Sequence, residues 1–353
     1  MGSLRVHQVA EPDVAVETAR SGDVPRRRRI AFVALVLGCL LVGGGYGTWA
    51  FVRAPGGRAA VSGGSHSEAG GSAVTAGRVL FQHVIRDSRY GTLASVPTGR
   101  PATQRQFSGL TCERAHFAAG RGLCVVPNDQ RSGYVARTFG PDFAVLHEIP
   151  LSGIASRARV SPDGRYGAVT VFVLGHSYAE GKFSTTTTLI DMARGKELVD
   201  LEQFSTTGPD GKTVDAPDVN YWGVTFARNS DIFYATLATG EHTYLVKGHV
   251  ASRRARVLRE NVECPSLSPD GSRIAYKKRV FRNSTWRFYV LDLKSMKDTP
   301  LAEPRSVDDQ VEWLDDAHVL YGAETSVWVL PADGSGRPQE YLAGALSPAV
   351  VRG

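Results

Sequence analysis

No G-x-S-x-G pentapeptide occurs in the 353 residues, which excludes the nucleophile elbow of an α/β-hydrolase. A Walker loop, a G-x-G-x-x-G opening a helix and H-E-x-x-H are missing too, so phosphate-loop, dinucleotide and zincin chemistry have no sequence basis. Cysteine is scarce, at four, and Cys112-x11-Cys124 lacks the second Cys or His pair that a zinc site needs. An excess of one charge is also lacking: the net charge is +6, and beyond Arg26–Arg29 the basic residues are scattered among acids, which argues against nucleic-acid binding. Hydrophobic content of 42% and charge of 22% are those of a chain with a packed core. After residue 78 no apolar period of 3.6 persists, so helices are not the building blocks of that core.

What is present begins with one long apolar run. Residues 30–52 (IAFVALVLGCLLVGGGYGTWAFV) carry no charge and are long enough to cross a bilayer of about 30 Å at 1.5 Å per residue. A cleaved signal peptide would have an apolar core of about 7–15 residues and a small-x-small exit; this run is longer and carries Trp49 and Phe51 near its end, so an uncleaved anchor is the reading favoured. Four arginines precede the run and only Arg53 and Arg58 follow closely, which keeps residues 1–29 cytoplasmic and places the rest outside. Residues 53–77 are dense in Gly, Ser and Ala and read as a flexible linker. The folded domain is expected over 78–353.

In that domain short β-rich runs recur, among them Val79–Ile85, Gly167–Leu174, Arg273–Val280 and Trp286–Leu293, and the fold class predicted is all-β. The runs are punctuated by Ser161-Pro162-Asp163-Gly164, repeated as Ser268-Pro269-Asp270-Gly271. Pro presets φ, Asp bonds its own backbone, and Gly supplies the left-handed residue, so each copy is a tight link between antiparallel strands. Degenerate copies begin at Phe117, Phe226, Trp313 and Ser347. The intervals fall between 34 and 45 residues except for one of 65, a period that signals propeller blades. The last copy ends after one strand, while the domain opens with strands that precede any turn motif. The two fragments are expected to complete one blade and close the ring, giving six blades, with five as the alternative count.

The two SPDG turns, together with Ile274-Ala275-Tyr276 and Tyr289-Val290-Leu291-Asp292-Leu293, resemble the TolB-type propeller repeat over residues 78–353. Such repeats occur in periplasmic TolB, in the propellers of prolyl-oligopeptidase-like peptidases and in some polysaccharide lyases, so the resemblance implies a fold more than a function. TolB carries a small α/β domain ahead of its propeller, which this chain lacks. The sequence looks closer to membrane-anchored TolB-like proteins of actinobacteria, in keeping with 33 Arg against 8 Lys.

Cys112 and Cys124, outside the cytoplasm, are read as a disulfide that staples the first full blade; Cys39 is an apolar residue of the span and Cys264 an unpaired buried one. His176, His242 and His318 are the candidates for lyase chemistry, but isolated loop or core histidines are the simpler reading, and the turn role of Asp163 and Asp270 explains them without catalysis. No cofactor or metal is expected. The links between second and third strands and between blades share one face, opposite the SPDG turns, and hold the longest loops. These carry the binding candidates His176, Tyr178, Phe183, Tyr221, Trp222, Arg282 and Trp286, with packing of Trp222 and Trp286 between blades as the alternative. The expectation is a membrane-tethered, extracytoplasmic, non-enzymatic binding module for an unknown envelope protein or glycan. The alternative is a carbohydrate-active propeller, either lyase or glycan binder.

Overall fold

The computed structural model describes residues 73–173, 184–280 and 285–353. The run 30–52 lies outside them, and among the described residues no helix is long and apolar enough to cross a membrane. Six sheets form the six blades of a β-propeller. Blades are numbered here in chain order. Blade 2 consists of Arg114–Ala118, Arg121–Pro127, Tyr134–Phe139 and Val145–Leu151, paired consecutively and antiparallel, and blades 3, 5 and 6 repeat that meander.

Strand sequence follows from the packing. The second strand of a blade is covered on both faces by neighbouring blades, so it reads as an apolar run rather than an alternation. In Arg121–Pro127, Leu123 and Val125 point into the interface with blade 3, whereas Cys124 and Val126 point into that with blade 1. In Arg78–His83, Leu80 faces blade 2 and Val79 and Phe81 face blade 6. Six buried apolar clusters result, one between each pair of adjacent blades, and each stabilises the ring only while its neighbours are in place.

The repeated turn is built as its residues dictate. Gly164 and Gly271 take φ of 71° and 77°, a left-handed conformation that side-chain-bearing residues rarely adopt. The Ser161 hydroxyl donates to Asp163 at 2.8 Å and accepts the Tyr166 N–H at 2.9 Å, and Ser268 and Asp270 repeat the pattern with Arg273. In the degenerate copy Phe117–Gly120, Ala119 and Gly120 both take positive φ, so the hairpin closes without the Pro-Asp pair.

Blade 1 is the composite expected. Its innermost strand is the C-terminal Ala345–Val351, hydrogen-bonded to Arg78–His83 in the sheet that continues with Thr92–Pro97 and Gln106–Thr111. The interval of 65 also has a structural cause: the chain between blades 3 and 4 forms a short 3-10 turn, Leu201–Gln203, and an extra strand, Ser205–Thr207, which runs parallel to Arg254–Glu260 and makes blade 4 five-stranded.

The Cys112–Cys124 disulfide is present, with a Cα separation of 5.5 Å. It does not staple a single blade, as the spacing around one hairpin suggested. Cys112 directly follows the outermost strand of blade 1 and Cys124 lies in the second strand of blade 2, so the bridge ties two blades together across their link.

Candidate functional site

The innermost strands of a propeller run along its central channel, so their two ends set the chemistry of the two mouths. At the mouth on the SPDG side the charged side chains Arg159, Glu312 and Arg352 are paired with one another, although Arg159 Nε is buried without a partner. The Glu312 carboxylate is buried and bonded by Arg159 of blade 3 and Arg352 at the C-terminus, the latter at 2.8 Å. Burial alone would raise its pKa, but Arg159 and Arg352 outweigh this and hold it down at about 2. His116 is also buried. Its Nδ1 accepts the Val160 N–H at 3.1 Å, and desolvation, reinforced by Arg159, lowers its pKa to about 3. A carboxylate pinned between two guanidiniums and an imidazole held neutral do not exchange a proton near pH 7. A cavity of about 410 Å³ lies at this mouth, and the charged residues Arg159, Glu312 and Arg352 of its lining are tied together across blades 3 and 6 and the C-terminus.

The opposite mouth opens into a cavity of about 650 Å³ lined by Arg114, Arg157, Glu263, Cys264, Lys277, Arg279 and Asp308 among its polar groups, and by Phe172, Trp222 and Trp286 among its apolar ones. Three consecutive innermost strands carry register shifts here: Ala155/Arg157 in blade 3, Trp222/Thr225 in blade 4 and Glu263/Ser266 in blade 5. A bulge turns a side chain that the regular pleat would send into the sheet interface. Gly223 shows how tightly blades 4 and 5 approach at this level: with φ at 64°, a Cβ there would lie 2.6 Å from the Cys264 Cα.

Charges are paired unevenly across the cavity. Lys277 is buried at 3% exposure and bonds Asp308, and Arg279 bonds the buried Glu263. Burial pushes the Asp308 carboxyl upward, but the Lys277 ammonium outweighs it and the net pKa is below the ordinary range. The Trp286 ring lies under both cations, with Lys277 Nζ 4.8 Å and Arg279 Cζ 5.4 Å from its centroid. The Trp286 Nε1 is buried without a hydrogen-bond partner. Across the channel Arg157 reaches Asp309 at 3.8 Å; burial opposes its charge, but Cys264, Asp309 and Asp308 outweigh this and hold its pKa above the ordinary value. Arg114 donates from Nε to the Ser156 carbonyl at 3.0 Å, and burial lowers its pKa.

Of the seven binding candidates read from the sequence, Trp222 and Trp286 line this cavity and are half-buried. Tyr221 does not belong with them. It is 1% exposed in the cluster between blades 3 and 4, its hydroxyl bonds Thr206, and its N–H is accepted by Glu202 at 3.0 Å, because the alternation of a strand sends residue 221 to the opposite side from residue 222. His176, Tyr178 and Arg282, with Phe183, lie outside the described residues. His242 pairs with Glu260 at 2.7 Å at the start of a third strand, and His318 with Asp315 at 3.0 Å at the start of a second one, so they stand at opposite ends of different blades. Among the described residues no group of three or more His, Cys, Asp or Glu is placed to hold a metal ion.

The reading from sequence missed Arg114, Arg157, Glu263, Cys264, Lys277, Arg279 and Asp308. A signal for part of the set existed: Arg157, Trp222, Cys264 and Asp309 each stand four residues ahead of a repeat start, at Ser161, Phe226, Ser268 and Trp313. One repeat position therefore feeds the cavity from three blades, and in a fourth it supplies Asp309, which pairs with Arg157.

No protein-family model matches the sequence, and no curated protein matches it either. Solved structures do resemble it. TolB from Acinetobacter baumannii superposes with a TM-score of 0.57 at 16% identity, over 77% of this chain and 66% of that chain, so the match falls just short of two thirds of the TolB chain. A chain of a nidogen/laminin complex gives a TM-score of 0.53 at 11% identity, over 77% of this chain and 97% of that chain. At these identities the likeness carries the fold, a six-bladed propeller of the TolB type, and nothing of activity.

Proposed function

We propose that the chain is a non-enzymatic interaction module: a propeller that presents the open mouth of its channel to a protein partner, tethered to the cell membrane by residues 30–52 with the propeller outside the cytoplasm. The observation that carries the reading is the contrast at the open mouth, where two tryptophans and a phenylalanine share a cavity of about 650 Å³ with four cationic side chains. Aromatics and Arg are the residue types that anchor recognition. The nidogen/laminin neighbour comes from a complex between proteins, which is in keeping with a partner at a propeller face. The tether is supported by the uncharged run behind four arginines and the side of the membrane by their position.

Glycan binding is the second reading, and the same aromatic and guanidinium lining favours it. The lyase form of that reading is weaker. It needs a free base at the substrate, yet Glu263 and Asp308 in the cavity are each bonded by Arg279 or Lys277, and no histidine is among the lining residues described.

The test is site-specific cross-linking on intact cells. A photoactivatable residue at position 286 should give a discrete protein adduct, one at position 269 on the SPDG side should not, and protease added outside should remove the propeller while sparing residues 1–29. Equal adducts at both positions, or a propeller protected until the cells are lysed, contradict the reading.

A further inference from the structure

The cations of the cavity are not equally satisfied, and the imbalance has a location. Among the described residues that line it, four are cationic and two are carboxylates, and Lys277 and Arg279 use both carboxylates. The remaining cations are Arg114 and Arg157, and Arg157 is drawn to Asp309, just outside the lining, at 3.8 Å. Arg114 Nε and Arg157 Nη1 donate to the same oxygen, the Ser156 carbonyl, at 3.0 and 2.9 Å. Two like charges thus lean on one neutral acceptor. Arg114 has no carboxylate within 4.0 Å among the described residues, Arg157 reaches Asp309 only at 3.8 Å, and Arg157 Nε is buried with no partner at all. At the other mouth both guanidiniums bond one buried carboxylate directly, Arg159 and Arg352 on Glu312, although Arg159 Nε, like Arg157 Nε, is buried without a partner; Arg114 has no such carboxylate.

We infer that the missing counter-charge is supplied in trans, by a carboxylate of an acidic peptide segment on a protein partner, received between Arg114 and Arg157 with neighbouring apolar side chains against Trp222, Trp286 and Phe172. The inference rests on the interaction reading above and adds the chemistry of the partner. A guanidinium fork matches the two oxygens of a carboxylate. Glu263 and Asp308 stand on the same wall, so a uniformly anionic chain, such as a polyuronate, would set further carboxylates against them. A peptide that alternates an acid with apolar residues would not.

The experiment titrates the full-length chain with three probes: the amidated tetrapeptide Phe-Glu-Phe-Glu, its Phe-Gln-Phe-Gln counterpart and trigalacturonate. The expected result is saturable binding of the acidic peptide, at least tenfold weaker binding of the glutamine peptide, and at least tenfold loss of acidic-peptide affinity in Arg114→Gln and in Arg157→Gln. The Tm of Arg114→Gln should be no lower than that of the wild type, since the substitution removes an uncompensated charge and not a paired one. Equal binding of the two peptides, tighter binding of trigalacturonate than of the acidic peptide, or a lowered Tm of Arg114→Gln with unchanged affinity would each overturn the inference. If the adduct at position 286 forms in cells and neither Arg substitution reduces it, the interaction reading stands and this inference falls.

Discussion

The two mouths of the channel are built from the same six innermost strands and yet differ in electrostatic completeness. On the SPDG side two guanidiniums bond one buried carboxylate, a neutral imidazole accepts a backbone N–H, and Arg352 beyond the C-terminal strand is part of the knot, with Arg159 Nε left unpartnered. On the loop side a bulged strand carries the half-buried Trp222, Trp286 stands on a neighbouring blade, and two arginines share a carbonyl. Cavities stand at both mouths, so the difference lies in how their cations are paired: directly on a shared carboxylate at one, and with Arg114 on a neutral carbonyl at the other. Natural proteins place such local violations at functional sites.

The most severe way to break the closed side is to remove residues 347–353. Val350 and Val351 pair with Val79 and Arg78, and Arg352 bonds Glu312, so the truncation opens blade 1 and exposes two unpaired edges. Urea denaturation should show loss of the cooperative transition of the whole propeller, not fraying of one end. A truncated chain with the wild-type midpoint would mean that the ring closes by other contacts.

Acid attacks the same side less severely. The folded pKa of His116, about 3, is below the ordinary 6.5, so its contribution is complete above pH 6.5 and is lost as the pH falls toward 3. The slope is about 1.4 kcal/mol per pH unit for one proton. Glu312 acts with the same sign at lower pH, losing its contribution as the pH falls below the ordinary carboxylate range and through about 2. His116→Asn, whose amide oxygen can accept the Val160 N–H, should flatten the stability profile between pH 6.5 and 4. An unchanged slope in that variant would remove His116 from the account.

Opening the disulfide loosens one seam rather than the ring. Its sequence separation is 12 residues, and replacing both cysteines by Ala should cost about 2–4 kcal/mol by chemical denaturation. Because the bridge joins blades 1 and 2, hydrogen exchange should rise at that interface before the others. A uniform rise across all blades would contradict a local role.

Much of the scaffold was legible from the sequence because the turn chemistry repeats. SPDG and its degenerate copies mark links between first and second strands, and the unmatched copy at Ser347, which lies within the innermost strand itself, together with unclaimed strands after Arg78 pointed to the composite blade. The seam crossed by the disulfide was not legible, since Cys112 and Cys124 flank one hairpin in sequence while the first of them belongs to the blade before it. The site was legible only in part. Trp222 and Trp286 stood out as aromatic residues near long loops, and so did Tyr221, although strand alternation buries it. Arg114 and Lys277 gave no signal of their own, because a cation in a strand is ordinary until neighbouring blades bring their inner ends together, and Arg157 showed one only through its place in the repeat.

The contrast between the mouths is tested most directly by one matched pair, Arg114→Gln and Arg159→Gln, each assayed for Tm and for binding of the acidic peptide. Arg159→Gln takes from the buried Glu312 one of its two partners, which costs about 3–5 kcal/mol and lowers Tm by roughly 5 °C or more, with affinity unchanged in the fraction that remains folded. Arg114→Gln should keep its Tm and lose binding at least tenfold. If Arg114→Gln melts as early as Arg159→Gln and binds like the wild type, both mouths are structural and the account is contradicted.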